Sequence, residues 1–201
     1  MKEYSYSYNG SEEYCYPGTD VLKNKLGIKN DSELTIAERE ITSIKLLMLY
    51  NAPIFNQLNF DTLCGIHKRI FEDIYEWAGK IRYGDFFSKG NSIFCRGQYI
   101  KENADKIMEN LKRENYLQGL EKEKFIERIS YYIGEINALH PFREGNGRTS
   151  REYFRQLSLN TNYRLDFSKT KSEKLLIADI NAFNGDYKDL INVLEEAISK
   201  K

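Results

Sequence analysis

The sequence is poor in cysteine, and its three cysteines follow no recognisable pattern. Cys15, Cys64 and Cys95 are widely spaced along 201 residues, without a Cys-x-x-Cys pair or the spacing of a zinc site. An odd, scattered set excludes the disulfide framework of small secreted domains. We therefore expect a protein with reduced thiols in the cytoplasm.

Neither charge is in surplus, and long apolar runs are missing. Lys and Arg number 30, as do Asp and Glu, which excludes the strongly basic surface of a general nucleic-acid binder. The 15 tyrosines show no stacking-platform order, so no nucleic-acid partner is expected. No run approaches the roughly 18 apolar residues of a membrane helix. The first residues lack the basic and apolar regions of a secretory signal.

Proline is also scarce, with Pro17, Pro53 and Pro141 as the only examples. Long proline-free stretches rich in helix formers predict a mostly helical chain. Its length predicts one domain, over 16–201, after a flexible tail over 1–15. Apolar residues at three- and four-residue steps predict a central helix over 123–140. Other helices are predicted over 35–51, 61–79, 101–115, 148–162 and 186–201.

One segment, Lys80 to Ile100, breaks the helical pattern. It is rich in aromatic and β-branched residues, glycine and asparagine. Ser88-Lys89-Gly90-Asn91 is a turn signal between two β-prone runs. The pattern predicts one β-hairpin on a helical body, and an isolated hairpin is marginally stable without further support.

The sequence from His140 to Arg151 combines residues suited to binding a polyphosphate. Gly145 and Gly147 let the backbone approach a ligand closely. They precede a helix predicted to begin near Arg148, and a helix N-terminus binds anions through its unpaired N–H groups. Arg148 and Arg151 project from one face of its first turn. Two guanidiniums beside such a glycine-rich nest suit phosphate groups.

Two further residues of this loop supply a carboxylate and a base. Glu144, beside phosphates, is a natural Mg²⁺ ligand, because Mg²⁺ prefers one or two carboxylates with phosphate oxygens and water. His140 ends the preceding helix and can accept a proton from a hydroxyl near neutral pH. The set predicts transfer of a phosphorus-centred group from a nucleotide. The alternative is an ordinary helix stop followed by solvated arginines. The loop fits neither the P-loop nor the dinucleotide-binding pattern.

The segment "HPFREGNGRTSR", residues 140–151, matches the signature of the Fic domain family, His-x-Phe-x-Asp/Glu-Gly-Asn-Gly-Arg-x-x-Arg. "YPGTDVLKNKLGI", "IHKRIFEDIYEWAGKIR", "SKGNSIF" and "INAFNGDY" also resemble the family, in the expected order. The resemblance implies the all-α Fic fold, a helical bundle with a central helix-loop-helix active site and one small β-hairpin flap. It implies a protein adenylyltransferase that moves AMP from ATP to a protein hydroxyl, with auto-AMPylation.

The resemblance assigns a role to each matched position. His140 would deprotonate the target Tyr, Thr or Ser, and Phe142 would anchor the loop. Glu144 would hold Mg²⁺, Gly145, Asn146 and Gly147 would cradle the phosphates, Arg148 would bind the β-phosphate and Arg151 would orient the γ-phosphate. Related transferases that use other donors share much of the motif, and Doc kinases depart from it at Gly-Asn-Gly-Arg. A nucleotide-holding binding module without turnover is the alternative from another class.

The flap would bind the target protein as an added strand. The resemblance places Lys89 and Gly90 near the nucleotide phosphates. It assigns target binding to Ser88, Asn91, Ser92, Ile93 and Phe94. The alternative is an edge hairpin packed on the core through its phenylalanines.

Many family members carry an inhibitory Ser/Thr-x-x-x-Glu-Gly/Asn motif whose glutamate pairs with the second arginine of the signature. Here the residues four positions after Ser32, Thr35, Thr170 and Ser172 are not glutamate. Inhibition is therefore either supplied in trans by a small antitoxin-like partner, which we favour, or absent. His67, the other histidine, is interpreted as structural or partly exposed at a helix edge.

Overall fold

Helices make up most of the chain in the computed structural model, which describes residues 6–8, 11–52, 55, 57–84, 86–89 and 92–201. For 6–8, 11–12 and 89 only the backbone is described. None of the helices described there is long and apolar enough to cross a membrane. They are α1 (Ser11–Tyr14), α2 (Asp31–Tyr50), α3 (Phe60–Phe71), α4 (Gly97–Arg113), α5 (Lys122–Leu139), α6 (Asn146–Leu159), α7 (Ser172–Phe183) and α8 (Lys188–Ala197).

Helix α5 is the centre of the bundle, as its apolar periodicity predicted. It packs against α4, α6, α7 and α8. Its predicted core residues are buried, with Phe125 and Ile129 fully inaccessible to solvent. The α5–α6 loop, residues 140–145, follows directly from this helix. Because α5 is held on several sides by other helices, the position of the loop is fixed.

Helix α2 lies at the margin of the bundle and packs mainly on α3. The spacing of its apolar residues predicts an apolar face, and four of them, Ile36, Ile44, Leu47 and Met48, are more than half exposed. The helix instead turns Leu34, Thr42 and Leu49 inward. Periodicity identifies the apolar stripe, but it does not reveal that no element among the described residues covers it.

The flap region contains one strand more than the predicted hairpin. Strands β2 (Phe87–Lys89) and β3 (Ser92–Ile93) are antiparallel, and β1 (Tyr6–Tyr8) pairs antiparallel with β2. The sheet order is β1-β2-β3. Residues 1–15 were expected to form a flexible tail, yet this range contributes β1 and buries Tyr14 and Cys15. The single-domain boundary at residue 16 stays a prediction.

The C-terminus forms a second small sheet. Strands β4 (Tyr163–Leu165) and β5 (Ile198–Lys200) pair antiparallel, with Leu165 opposite Ile198. The last helix therefore ends at Ala197, although the sequence predicted helix to residue 201. Helix α3 also ends early, at Phe71, and a series of turns leads to Gly79.

Candidate active site

A cavity of about 400 Å³ opens where the α5–α6 loop meets α7 and the flap. Its wall includes most of the residues that the sequence singled out. Of these, the cavity brings together Ser92, Phe94, His140, Glu144, Gly145, Asn146, Gly147, Arg148 and Arg151.

His140 ends α5 in the left-handed conformation, with φ 46° and ψ 61°. Left-handed backbone is uncommon for a non-glycine residue and costs on the order of 1–3 kcal/mol. The His140 imidazole stacks on the Phe94 ring, with centroids 3.8 Å apart and an interplanar angle of 16°. The flap residue and the candidate base are therefore in direct contact.

Arg82 fixes this conformation, a role that no sequence pattern indicated. Its buried side chain donates from Nε to the His140 carbonyl at 2.7 Å and from Nη2 to the Cys95 carbonyl. The Cys95 N–H in turn donates to the Ala138 carbonyl. One guanidinium thus ties the end of α5 to the chain that leaves the flap. A lone buried arginine gives no sequence signal.

The loop itself is closed by Asn146. Its side-chain oxygen accepts from the Phe142 N–H at 2.9 Å, and its nitrogen donates to the Phe142 carbonyl at 2.8 Å. Phe142 is 1% exposed, which agrees with the predicted anchor. Both polar atoms of the Asn146 side chain thus bond the Phe142 backbone, which fixes the turn of the loop.

Gly145 is the tightest point of the loop. Its φ is +81°, and a Cβ added there would lie 2.2 Å from the Phe71 ring. Gly145 also caps the N-terminus of α6, and no side chain of the described residues bonds the first N–H groups there. Those groups and the helix dipole form an anion site on the cavity wall.

Arg148 is held by a set of polar groups that the sequence pattern did not predict. Its guanidinium donates to Glu38 at 2.6 Å, to Thr42 at 3.2 Å and to Glu144 at 3.4 Å. The second oxygen of Glu38 accepts from the Tyr75 hydroxyl. The only sequence signal was a pair of polar residues, four apart, on the inward side of α2.

Arg151 and Asp179 face each other across the cavity. Burial lowers the pKa of Arg151, whereas the Asp179 carboxylate opposes that shift. Burial raises the pKa of Asp179 to about 6, despite Arg151 and a hydrogen bond of 2.8 Å from Asn137. Within the described residues no carboxylate oxygen lies within 4.0 Å of the Arg151 nitrogens.

Glu144 is the predicted metal ligand, and its surroundings fit that role. The carboxylate is 27% exposed on the cavity wall and accepts from the Gly145 N–H at 2.8 Å. In the described part of the chain, no group of three or more His, Cys, Asp or Glu side chains could hold a metal. A single carboxylate suits Mg²⁺ that receives its other ligands from phosphates and water.

The predicted flap residues divide between two sides of the sheet. Ser92 is buried on the cavity wall beside Phe94, whereas Ile93 is 63% exposed on the opposite side. Ser88 is buried in β2 and does not line the cavity. Lys89 belongs to β2, but its side chain, Gly90 and Asn91 lie outside the described residues.

The far wall of the cavity is apolar. Leu175, Leu176, Ile180 and Phe183 of α7 line it, and Phe183 packs edge-to-face on Phe94 with centroids 5.7 Å apart. The cavity therefore has a cationic end at the α6 N-terminus and an apolar side on α7, which suits a molecule with phosphates and a flat base.

Comparison with known proteins gives a consistent picture. Residues 57–157 match the model of the Fic/DOC family. The chain is 37% identical to a probable protein adenylyltransferase Fic of Salmonella typhimurium, over 95% of this chain and 94% of the relative. It is 40% identical to the protein adenylyltransferase VbhT of Bartonella schoenbuchensis, over 93% of this chain but 39% of that longer protein.

Solved structures show the same fold. The BepC protein of Bartonella tribocorum, with bound AMPPNP, superposes with a TM-score of 0.87 at 25% identity, over 94% of this chain and 97% of that one. A Fic domain of Bartonella quintana with bound ADP gives a TM-score of 0.88 at 26% identity, over 94% and 95%.

Proposed function

This chain belongs to the Fic/DOC family, and we propose that it is a protein adenylyltransferase that moves AMP from ATP to the hydroxyl of a target Tyr, Thr or Ser. The observation that carries the proposal is the shared cavity. The candidate base His140, the α6 N-terminus, Arg148 and Arg151 line one wall of a single space. Base, anion site and cations are thus available to one bound nucleotide.

The proposed reaction requires one proton acceptor and one place for the leaving group. His140 accepts the proton of the target hydroxyl, whose oxygen then bonds to the α-phosphorus of ATP. The bond between that phosphorus and the oxygen shared with the β-phosphate breaks, and pyrophosphate leaves. The α6 N–H groups and Arg148 stabilise the negative charge on pyrophosphate, and Arg151 orients the γ-phosphate.

Glu144 is the residue that would hold Mg²⁺ in this proposal. The ion would neutralise phosphate charge and orient the phosphate groups when bound. The chain's own contribution is the position of the carboxylate, because the Gly145 N–H and the Arg148 guanidinium both donate to its Oε1.

The target protein would bind at the flap. The Ser92–Phe94 segment borders the cavity, and Phe94 touches His140. An extended target segment added to the β3 edge would bring its hydroxyl close to the base, because strand pairing holds two backbones about 4.8 Å apart. Lys89, Gly90, Asn91 and Ile93 remain proposed target or phosphate contacts on this hairpin.

The test uses ATP labelled at the α- or the γ-phosphate, with Mg²⁺. We expect protein labelling from the α position only, both of the chain itself and of a protein in a lysate. Protein labelling from the γ-phosphate of ATP would identify a kinase. A parallel reaction with labelled UTP tests the donor, and labelling from UTP but not from ATP would identify a transferase that uses another nucleotide. Nucleotide binding without labelling would identify a binding module.

The role of His140 is tested with His140→Ala. Labelling should disappear while the affinity for ATP, measured by isothermal titration calorimetry, stays within a few-fold of the wild type. A parallel loss of ATP binding would contradict the assignment of His140 as the base.

We propose that regulation, where present, comes from a second protein. The residues four positions after Ser32, Thr35, Thr170 and Ser172 are not glutamate. Among the described residues, Asp179 acts on Arg151 only from beyond 4.0 Å. A small antitoxin-like partner could supply a carboxylate that pairs with Arg151.

In the absence of such a partner, the purified chain should self-label without activation. A silent chain that becomes active when a terminal helix is deleted would reveal an internal inhibitor. We also propose a cytoplasmic location, because the three cysteines are odd in number and scattered along the sequence.

A further inference from the structure

His67 lies under the phosphate-binding loop, and its contacts make it more than a core residue. It sits on α3 and is completely buried. Its Nε2 is 3.0 Å from the Glu144 carbonyl oxygen, and its Nδ1 is 2.7 Å from the Gly79 backbone nitrogen. Both ring nitrogens are therefore engaged by the backbone of other segments.

These two bonds determine which nitrogen of His67 carries the proton. A backbone N–H can only donate, so Nδ1 must accept from Gly79. The Glu144 carbonyl can only accept, so Nε2 must carry the hydrogen. A hydrogen on Nδ1 would break the bond with Gly79. The imidazole therefore stays neutral, with its hydrogen on Nε2.

The ring is also fixed in its plane. It stacks on the Phe142 ring, with centroids 3.9 Å apart and an interplanar angle of 17°. Its centroid also lies 4.7 Å from that of the Phe71 ring. Phe142 is the anchor of the loop, and Phe71 is the side chain that leaves no room for a Cβ at Gly145. His67 thus meets the loop both through stacking and through a hydrogen bond.

We propose that His67 is a positioning residue for the Glu144 carboxylate, an inference that rests on the proposed function. The Glu144 carbonyl and the Gly145 N–H belong to one planar peptide unit, so fixing the carbonyl orients the N–H on the opposite side. That N–H donates to the Glu144 side-chain oxygen at 2.8 Å. His67 therefore acts through one peptide plane on the carboxylate that would hold Mg²⁺.

A matched pair of variants separates this role from simple packing. In His67→Gln the side-chain amide nitrogen can occupy the position of Nε2 and keep the bond to Glu144. In His67→Asn the side-chain oxygen can occupy the position of Nδ1 and keep the bond to Gly79. Both variants lose the aromatic ring and one of the two hydrogen bonds, so they carry similar costs in packing.

The first readout is the affinity for AMPPNP, measured by calorimetry with Mg²⁺ and with EDTA. We expect His67→Asn to lose about 10- to 100-fold of the Mg²⁺-dependent affinity, the range typical of residues behind a metal ligand. His67→Gln should lose only a few-fold, and affinities in EDTA should match the wild type. Equal losses in both variants, or no loss in either, would overturn the proposal.

The second readout needs no His67 variant, so it holds even if both variants fail to fold. In His140→Ala, the only remaining histidine is His67, and its ¹⁵N imidazole signals report the tautomer directly. We expect the Nε2–H form, because Nδ1 accepts from the Gly79 N–H and Nε2 donates to the Glu144 carbonyl. The Nδ1–H form would refute the proposal. Absence of AMP transfer by the wild type would refute the proposed function alone.

Discussion

Replacing Gly145 with alanine should disrupt the loop through two separable effects. The first is backbone strain, because φ is +81° and an L-residue in left-handed backbone costs about 1–2 kcal/mol. The second is steric, because the new Cβ would lie 2.2 Å from Phe71, a fully buried ring that cannot move aside. Overpacking of this kind costs about 1–3 kcal/mol.

Gly119→Ala is the matched control. Gly119 has φ +77°, and a Cβ there would meet nothing within 4 Å. The control therefore carries the strain without the clash. We expect Gly145→Ala to lose about 1–3 kcal/mol more free energy of unfolding than Gly119→Ala, with a melting temperature lower by about 2–4 °C for each kcal/mol.

The assay is chemical and thermal denaturation of both variants, followed by labelling with α-labelled ATP. Gly145→Ala should also lose at least about tenfold in AMP transfer, since a misplaced anion site no longer stabilises the leaving group, whereas Gly119→Ala should not. The double variant Gly145→Ala with Phe71→Leu should recover part of the stability difference. Equal losses of stability in the two single variants would refute the claim that Phe71 closes the loop.

Three further predictions concern side chains around the cavity. Glu38→Gln removes the charge that holds Arg148, so the KM for ATP should rise about tenfold in initial-rate measurements, whereas an unchanged KM would contradict this role. Asp179 has a pKa of about 6 in the fold, against about 3.9 in unfolded chains. Between these two pH values the native state binds more protons than the unfolded state. The free energy of unfolding should therefore fall as pH rises from about 4 to about 6. Asp179→Asn should flatten this dependence in denaturation experiments at pH 4 to 8, and an unchanged slope would contradict it. Phe94→Ala removes the ring stacked on His140, so kcat should fall while the ATP affinity measured by calorimetry persists. A fall in ATP affinity with unchanged kcat would contradict this role of Phe94.

The parts of the fold that the sequence predicted depend on local patterns. Helix α5 follows from apolar residues at three- and four-residue steps, and the loop follows from twelve consecutive residues. The hairpin was predicted from its turn residues. In each case the interacting residues are close in sequence, so composition and spacing carry the information.

The parts that were missed depend on contacts between distant segments. Glu38 and Arg148 are 110 residues apart, and β1 joins a strand some 80 positions further along the chain. His67 was interpreted as a helix-edge residue, yet it is fully buried beneath the loop. No local pattern distinguishes a histidine that supports a distant loop from one that fills a core.

Strand β1 changes what the first residues of the chain contribute to the proposed target site. An isolated two-stranded hairpin is marginally stable, so a partner that binds it must also order it, at a cost in conformational entropy. A three-stranded sheet is already ordered before the partner binds. Because β1 covers β2, the hairpin beside His140 is already part of a sheet before any target arrives. Removal of residues 1–10 as a dispensable tail would therefore weaken target binding without changing a residue of the cavity.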